Sequence, residues 1–278
     1  MTDHHDTPPH AAALYEAQFL YEVTARHYEH GELRECEELL RTALLRFPDD
    51  GRFIQLQGLL WHSQRRYSSA CRAFEIASLL VPLSHAAQLA QADVYRRCGR
   101  TDDARTILSF LVTRTDLPAI LLPGLTSALG LIGEYQQALE VCRDASQRDP
   151  EQDQALYAMA YYMNKLNYPL ECIAPLLRRA LSLAPDSRLY RISLAVLAAR
   201  SGQWQEAHTL FAPLNPADLK CQTCVRFMAR VFDQQGDVPR RDAALARLEQ
   251  LAADRRRLAT AASMPPEQDP VPQTRGER

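Results

Sequence analysis

Cys221 and Cys224, separated by Gln222 and Thr223, form the one Cys-x-x-Cys pair of the chain. Thiols at this spacing serve zinc binding or disulfide exchange. Zinc needs a second pair or nearby histidines, and exchange of the thioredoxin type needs a βαβ setting. The flanking sequence offers neither, so a structural role is expected, with redox or zinc chemistry as the alternative. Asp3, His4, His5, Asp6 and His10 are also metal-ligand types, but they crowd a polar terminus where chelation is incidental. His27, His62, His85 and His208 are too far apart in sequence to act as one set. The two lysines, Lys165 and Lys220, follow no glycine-rich loop, which excludes a Walker-type phosphate site. Neither His-Glu-x-x-His nor Gly-x-Ser-x-Gly occurs. No catalytic residue, metal or cofactor is therefore expected, and the chain is not expected to be an enzyme.

Composition narrows the setting. The chain has 278 residues and a net charge of −2, so nothing global favours nucleic acid or an anionic membrane. Charge is uneven along it. Residues 16–50 carry nine acids against four arginines, and residues 226–257 carry eight arginines against five acids. Such blocks read first as solvated helix faces. Seven cysteines, an odd number scattered through periodic segments, do not make a secreted disulfide framework. Met1 to His10 lacks an apolar signal region. A reducing cytoplasm is the expected compartment. The uncharged run from Leu117 to Gly133 is short for a membrane span and is interrupted by Pro118, Pro123, Gly124 and Gly130. It is expected to be a buried helix, with no membrane insertion.

The elements that must position these residues follow a 34-residue beat. Gly99 and Gly133 are 34 apart, as are Gly202 and Gly236; Gly31 lies two periods before Gly99, with Arg65 midway. One period after Gly133 comes Asn167, the common substitute for glycine at a left-handed position. Pro48, Pro82, Pro150 and Pro185 close units. Thr24, Gly58, Ala92, Thr126, Ala160, Ala195 and Ala229 lie seven before each turn residue, and Cys36, Ala70, Ala104, Ala138 and Ala207 five after it. Two helices that pack as an antiparallel hairpin and then stack need small side chains at their crossings. They also need a left-handed residue to reverse the chain and a proline to stop the second helix.

These residue types and spacings resemble the tetratricopeptide repeat. Residues 51–84 match it best, through Ile54, Gly58, Trp61, Tyr67, Ala70, Phe74, Ala77 and Pro82. The resemblance covers residues 17–255 and implies an all-α fold, a right-handed α-solenoid of tandem helix-turn-helix repeats. The expected solenoid spans 11–258, with repeats near 17–50, 51–84, 85–118, 119–152, 153–187, 188–221 and 222–255. Tails at 1–10 and 261–278 are expected to be disordered. Three departures stand out. The fifth unit has an extra residue near Tyr168-Pro169, and Pro175 sits inside its second helix. Pro213 and Pro216 should end the sixth unit's second helix near Ala212. Arg241 replaces an alanine in the seventh, as in a capping pair.

The resemblance implies that first helices line a concave groove that binds a protein or peptide. Candidate groove residues are Tyr21, Tyr28, Leu59, His62, Arg96, Pro123, Ser127, Tyr157, Tyr161, Asn164, Lys165, Arg226 and Arg230. Pro123, Gly124, Ser127 and Gly130 make a small-residue floor, and Tyr157, Tyr161, Asn164 and Lys165 add amphipathic aromatics, an amide and a cation. Such groups suit peptide contact. Some relatives of this repeat clamp a chaperone's C-terminal carboxylate with Lys, Asn and Arg. Tyr21, Ala25, Leu56, Ala86 and Ala90 stand at those places, which disfavours that ligand. The expected function is a protein-binding scaffold or adaptor, including a chaperone or assembly factor. The alternatives are a self-associating subunit and redox or metal chemistry at Cys221 and Cys224.

Overall fold

Seven residues spaced near 34 apart hold the chain's reversals. Gly31, Gly99, Gly133, Gly202 and Gly236 have φ between 69° and 87°, and Arg65 and Asn167 have φ of 61° and 58°. At each, the backbone leaves one helix through the left-handed region and starts the next two or three residues later. The structure, a computed structural model, describes residues 9–263, with side chains over 13–257. Among the described residues there are fourteen α-helices, two short 3-10 turns and no strand. The chain divides into two compact units, 1–168 and 169–278. The division falls at Tyr168/Pro169, within the fifth repeat read from the sequence.

In the first unit the helices are α1 (Pro9–Glu29), α2 (Leu33–Arg46), α3 (Gly51–Ser63), α4 (Tyr67–Leu80), α5 (His85–Arg97), α6 (Thr101–Val112), α7 (Leu122–Ile132), α8 (Tyr135–Arg148) and α9 (Asp153–Lys165). Sequential helices pack as hairpins, and α1, α3 and α5 each touch the next first helix. The small residues at the crossings are buried: Thr24, Ala92, Thr126 and Ala160 in first helices, Cys36, Ala70, Ala104 and Ala138 in second helices. A Cβ on Gly58 would lie 2.7 Å from the Phe74 ring, which is why that crossing takes glycine. Phe53, Leu40, Leu56 and Leu60 fill the first hairpins, with Tyr21 edge-on to Phe53 at 5.8 Å. Second helices bury a fixed trio counted from the turn residue: Cys36, Leu40 and Ala43; Ala70, Phe74 and Ala77; Ala104, Leu108 and Leu111; Ala138, Cys142 and Ala145. Burying that trio supplies most of each short helix's stability, because isolated helices of this length are marginal in water.

The second unit holds α10 (Leu170–Leu183), α11 (Arg188–Arg200), α12 (Trp204–Phe211), α13 (Gln222–Gln234) and α14 (Val238–Ser263). The extra residue of the fifth repeat is taken up between Asn167 and Leu170. The buried trio of α10 is Ile173, Leu177 and Ala180, each one residue later than in the other repeats. α10 continues through Pro175, which is exposed, so the repeat keeps its second helix despite the missing donor. α12 stops at Phe211 with Ala212 as its cap, where Pro213 was expected to end it. The unit's core joins Phe211, Val225, Met228, Val231 and Phe232 with Ala195, Ala207 and Ala244.

Some expectations need correction. The run Leu117 to Gly133 is not one buried helix. Its α-helix covers only Leu122–Ile132, after a 3-10 turn at Ala119–Leu121. One face, with Leu122, Leu125, Thr126 and Leu129, is buried, whereas Pro123, Gly124, Ser127 and Leu131 are exposed. No helix among the described residues is long and apolar enough to cross a membrane. The expected tails also begin differently, since α1 starts at Pro9 and α14 runs to Ser263. The remainder of both tails lies outside the described residues, as do the side chains of Asp3, His4, His5, Asp6 and His10. The last helix, at 26 residues, is nearly twice the length of the other second helices, in keeping with a capping pair.

Candidate functional site

Between α7 and α9 a cavity of about 400 Å³ opens in the first unit. Its geometry begins with Gly130. A Cβ there would lie 2.5 Å from the Tyr162 hydroxyl and 2.9 Å from its ring, so only glycine lets Tyr162 lie across α7. The Tyr162 hydroxyl then donates to the Thr126 carbonyl at 2.8 Å, and the Thr126 hydroxyl donates to the Leu122 carbonyl at 2.7 Å. Tyr162 is thus a strut that bridges two first helices. Burial, with Cys142, Tyr161 and Tyr135 nearby, pushes its phenol up to about 12. Cys142, also buried, has its thiol pushed up to about 11. Both stay neutral in the physiological range.

Tyr161 stands edge-on to Tyr162, with ring centroids 5.1 Å apart, and keeps 43% of its surface exposed at the mouth. The Lys165 ammonium lies 5.4 Å from the Tyr161 ring centroid, a cation–π contact. Tyr157, half-buried, completes the aromatic wall, and Pro123, Ser127 and Leu131 form the opposite rim. Gln152 and Gln154 bring amides to one end. No Asp, Glu, Lys, Arg or His lines the cavity. The cavity can take an apolar side chain and offer amide and hydroxyl groups to a peptide backbone. It pairs no nucleophile with a base.

The structure brings together four of the residues singled out from sequence, Pro123, Ser127, Tyr157 and Tyr161, with Lys165 beside them. Asn164 is on the same helix and half-buried. The others are placed differently. Tyr21, Tyr28 and Leu59 turn partly into the first hairpins' core, and the Arg52 guanidinium covers the Tyr21 ring at 5.3 Å. His62 and Arg96 converge on Asp93: His62 Nε2 lies 3.0 Å from one carboxylate oxygen, and Arg96 donates to the other at 2.7 Å. Arg97 donates to Asp93 as well, at 2.7 Å. Burial pushes the Asp93 carboxyl up, but Arg97, Arg96 and His62 outweigh it and hold it at about 2. Arg226 and Arg230 lie on α13 of the second unit. Arg226 is exposed, and Arg230 sits 5.2 Å over the Trp204 ring beside a cleft of about 420 Å³. Sequence reading missed Tyr162, Cys142, Gln152 and Gln154. Gly130 was the available signal for Tyr162, because a glycine in mid-helix implies close approach by something large.

No family model matches the chain, and no curated protein matches it. Solved structures do. The C-terminal part of a tetratricopeptide-repeat protein from Cytophaga hutchinsonii superposes with a TM-score of 0.63 at 12% identity, over 88% of this chain and 100% of that one. It has the tetratricopeptide-repeat fold. PilW, a type IV pilus biogenesis factor, is similar at a TM-score of 0.58 and 14% identity, over 72% of this chain and 92% of its own. YrrB, a tetratricopeptide-repeat protein with an unusual peptide-binding site, follows at 0.51 and 16%, over 66% and 90%. In tetratricopeptide-repeat terms, α7 and α9 are the first helices of the fourth and fifth repeats, and the cavity lies on the face that such helices share. Among the described residues no three of His, Cys, Asp or Glu are grouped as a metal site.

Proposed function

We propose that this chain is a protein-binding module, not an enzyme, and that it takes a short peptide segment of a partner across α7 and α9. The observation that carries this reading is the uncharged cavity of about 400 Å³ with Tyr161 standing exposed at its mouth. Cavities of this size accept one or two apolar side chains, and exposed tyrosine next to a desolvated pocket is a common source of binding energy. YrrB, with its peptide-binding site, and PilW, a pilus biogenesis factor, share the fold and support an adaptor or assembly role. A cytoplasmic setting suits seven cysteines that are all unpaired.

Random peptides displayed on phage and panned on the purified chain test the reading. Ser127→Trp would plug the cavity from its exposed rim, and Tyr157→Ala with Tyr161→Ala would remove its wall. Enriched peptides should share an apolar anchor and lose at least about tenfold in affinity to each variant, a loss of about 1.4 kcal/mol. Peptides that bind both folded variants as tightly as the wild type would rule the cavity out. Self-association is a second reading, favoured by Leu14, Tyr15 and Phe19, which are all exposed on α1. A molar mass that rises with concentration in light scattering would support it; a constant monomer mass would exclude it.

A further inference from the structure

Seven cysteines divide into clear classes. Cys36, Cys71 and Cys142 are buried, and burial pushes Cys36 and Cys142 up to about 11. Cys98 and Cys172 are exposed on separate units. Cys221 and Cys224 differ from all of these because they share the first turn of one helix and touch there. Cys221 is the N-cap of α13, with an extended backbone at φ −86° and ψ 108°. Its sulfur accepts the backbone N–H of Cys224 at 3.4 Å. That bond folds the first side chain over the helix's opening turn, toward the second cysteine.

We propose that Cys221 and Cys224 are a reversible dithiol–disulfide pair, in which Cys221 attacks, Cys224 resolves, and the co-reactant is a disulfide of the glutathione class. This stands apart from the peptide-binding reading and does not rest on it. With Cys221 Sγ 3.4 Å from Cys224 N, rotation of the Cys224 side chain brings the second sulfur toward the first. The two thiols are also unlike. Burial pushes the Cys221 thiol up, but the Cys224 thiol and the N–H groups of Cys224 and Thr223 outweigh it and hold it below the ordinary range. Burial and the adjacent Cys221 sulfur push Cys224 up to about 12. An exposed thiol held below its ordinary range beside a half-buried thiol pushed up has the asymmetry that stepwise exchange requires.

The surroundings hold the pair in place. Leu219 and Val225 are buried on either side of it. Arg247 Nε donates to the Leu219 carbonyl at 3.0 Å, tying the approach to α14, and the Asn215 side chain accepts from Ala217 N at 3.0 Å. Cys221 is therefore presented to solvent on an anchored segment.

The exchange balances in two steps. The Cys221 thiolate attacks one sulfur of glutathione disulfide, forming a mixed disulfide and expelling one glutathione thiolate. Cys224 gives up its proton to that thiolate, and its sulfur attacks Cys221 Sγ. The mixed disulfide breaks, and a second glutathione thiolate leaves and takes up the proton that Cys221 had first lost to solvent. The protein dithiol is oxidised by two electrons, and one glutathione disulfide is reduced to two thiols.

The test uses the full chain in glutathione redox buffers with mass spectrometry. Trypsin cuts after Lys220 and Arg226, so one peptide, 221–226, carries both cysteines. In the wild type this peptide should become an internal disulfide that excess reduced glutathione reverses. Cys224→Ser should accumulate glutathione on Cys221, whereas Cys221→Ser should take up little on Cys224. Serine keeps an N-cap oxygen at 221, so the helix start is retained, and circular dichroism verifies both folds. Iodoacetamide should label Cys221 at least about threefold faster than Cys98 and Cys172, which serve as exposed references. Equal glutathionylation of the two serine variants would overturn the proposal. So would a wild-type peptide that stays reduced in glutathione disulfide while Cys98, Cys172 and Cys221 alkylate at one rate.

Discussion

Asp93 accepts hydrogen bonds from Arg96 and Arg97 and lies 3.0 Å from His62, so one carboxylate joins α3 to α5. Its folded pKa of about 2 lies below the unfolded value near 4. A depressed carboxylate contributes stability that is present above the unfolded value and lost as pH falls toward the folded one. Asp93→Asn should therefore cost about 1–2 kcal/mol at neutral pH, and the difference from wild type should vanish between about pH 4 and pH 2. Urea unfolding of both proteins across that range checks it. A gap independent of pH would assign the loss to packing. The same three residues show what a single sequence hides. His62 and Arg96 were read as groove residues, yet both are half-buried and the fold uses both on Asp93. Tyr162 was missed for the opposite reason. It belongs to the buried face of α9, and only the absent Cβ of Gly130 makes room for it.

At the scale of elements, the turn residue sets where each hairpin reverses, and five of the seven turns use glycine. Arg65 holds φ 61° with an exposed side chain and a Cβ that this region disfavours by about 1–2 kcal/mol. Arg65→Gly should raise stability by about 1 kcal/mol, the relief being partly offset by the greater freedom of glycine in the unfolded chain. Urea midpoints of the two proteins measure the change, and a lower midpoint for the variant would mean that the Arg65 side chain contributes more than its backbone costs. Most of this architecture was legible because physical necessity repeats it. A left-handed turn, small residues at crossings and a buried trio recur at one period, so each repeat corroborates the others. What escaped lay where necessity is local. The 3-10 turn at Ala119–Leu121 lies between Pro118, its cap, and Pro123 in the first turn of α7. The reach of α1 to Pro9 and of α14 to Ser263 was hidden because polar, proline-bearing composition at both ends reads as disorder. The cavity was half legible: its rim follows from the repeat's phase, its depth from how one tyrosine packs.

For the whole molecule, the useful division is the one at Tyr168/Pro169. Repeat arrays distribute stability through neighbour contacts, so a defect is felt most strongly within its own unit. The two tryptophans fall one in each unit, Trp61 in the first and Trp204 in the second, where Trp204 packs on the cluster around Phe232. Phe232→Ala should cost about 3–5 kcal/mol. Fluorescence of single-tryptophan variants should show a large fall in the urea midpoint at Trp204 and a small one at Trp61. Equal falls would mean that the chain melts as one block. The extra residue near Tyr168-Pro169 has a consequence for the gene as well. In a β-ladder, one inserted codon turns every following side chain to the wrong face. Here the insertion is spent before α10 begins, and Ile173, Leu177 and Ala180 all move by one without losing their places. Hairpin tips thus act as slip joints in heredity, where length can drift by a codon while the reading of inside and outside resumes with the next helix.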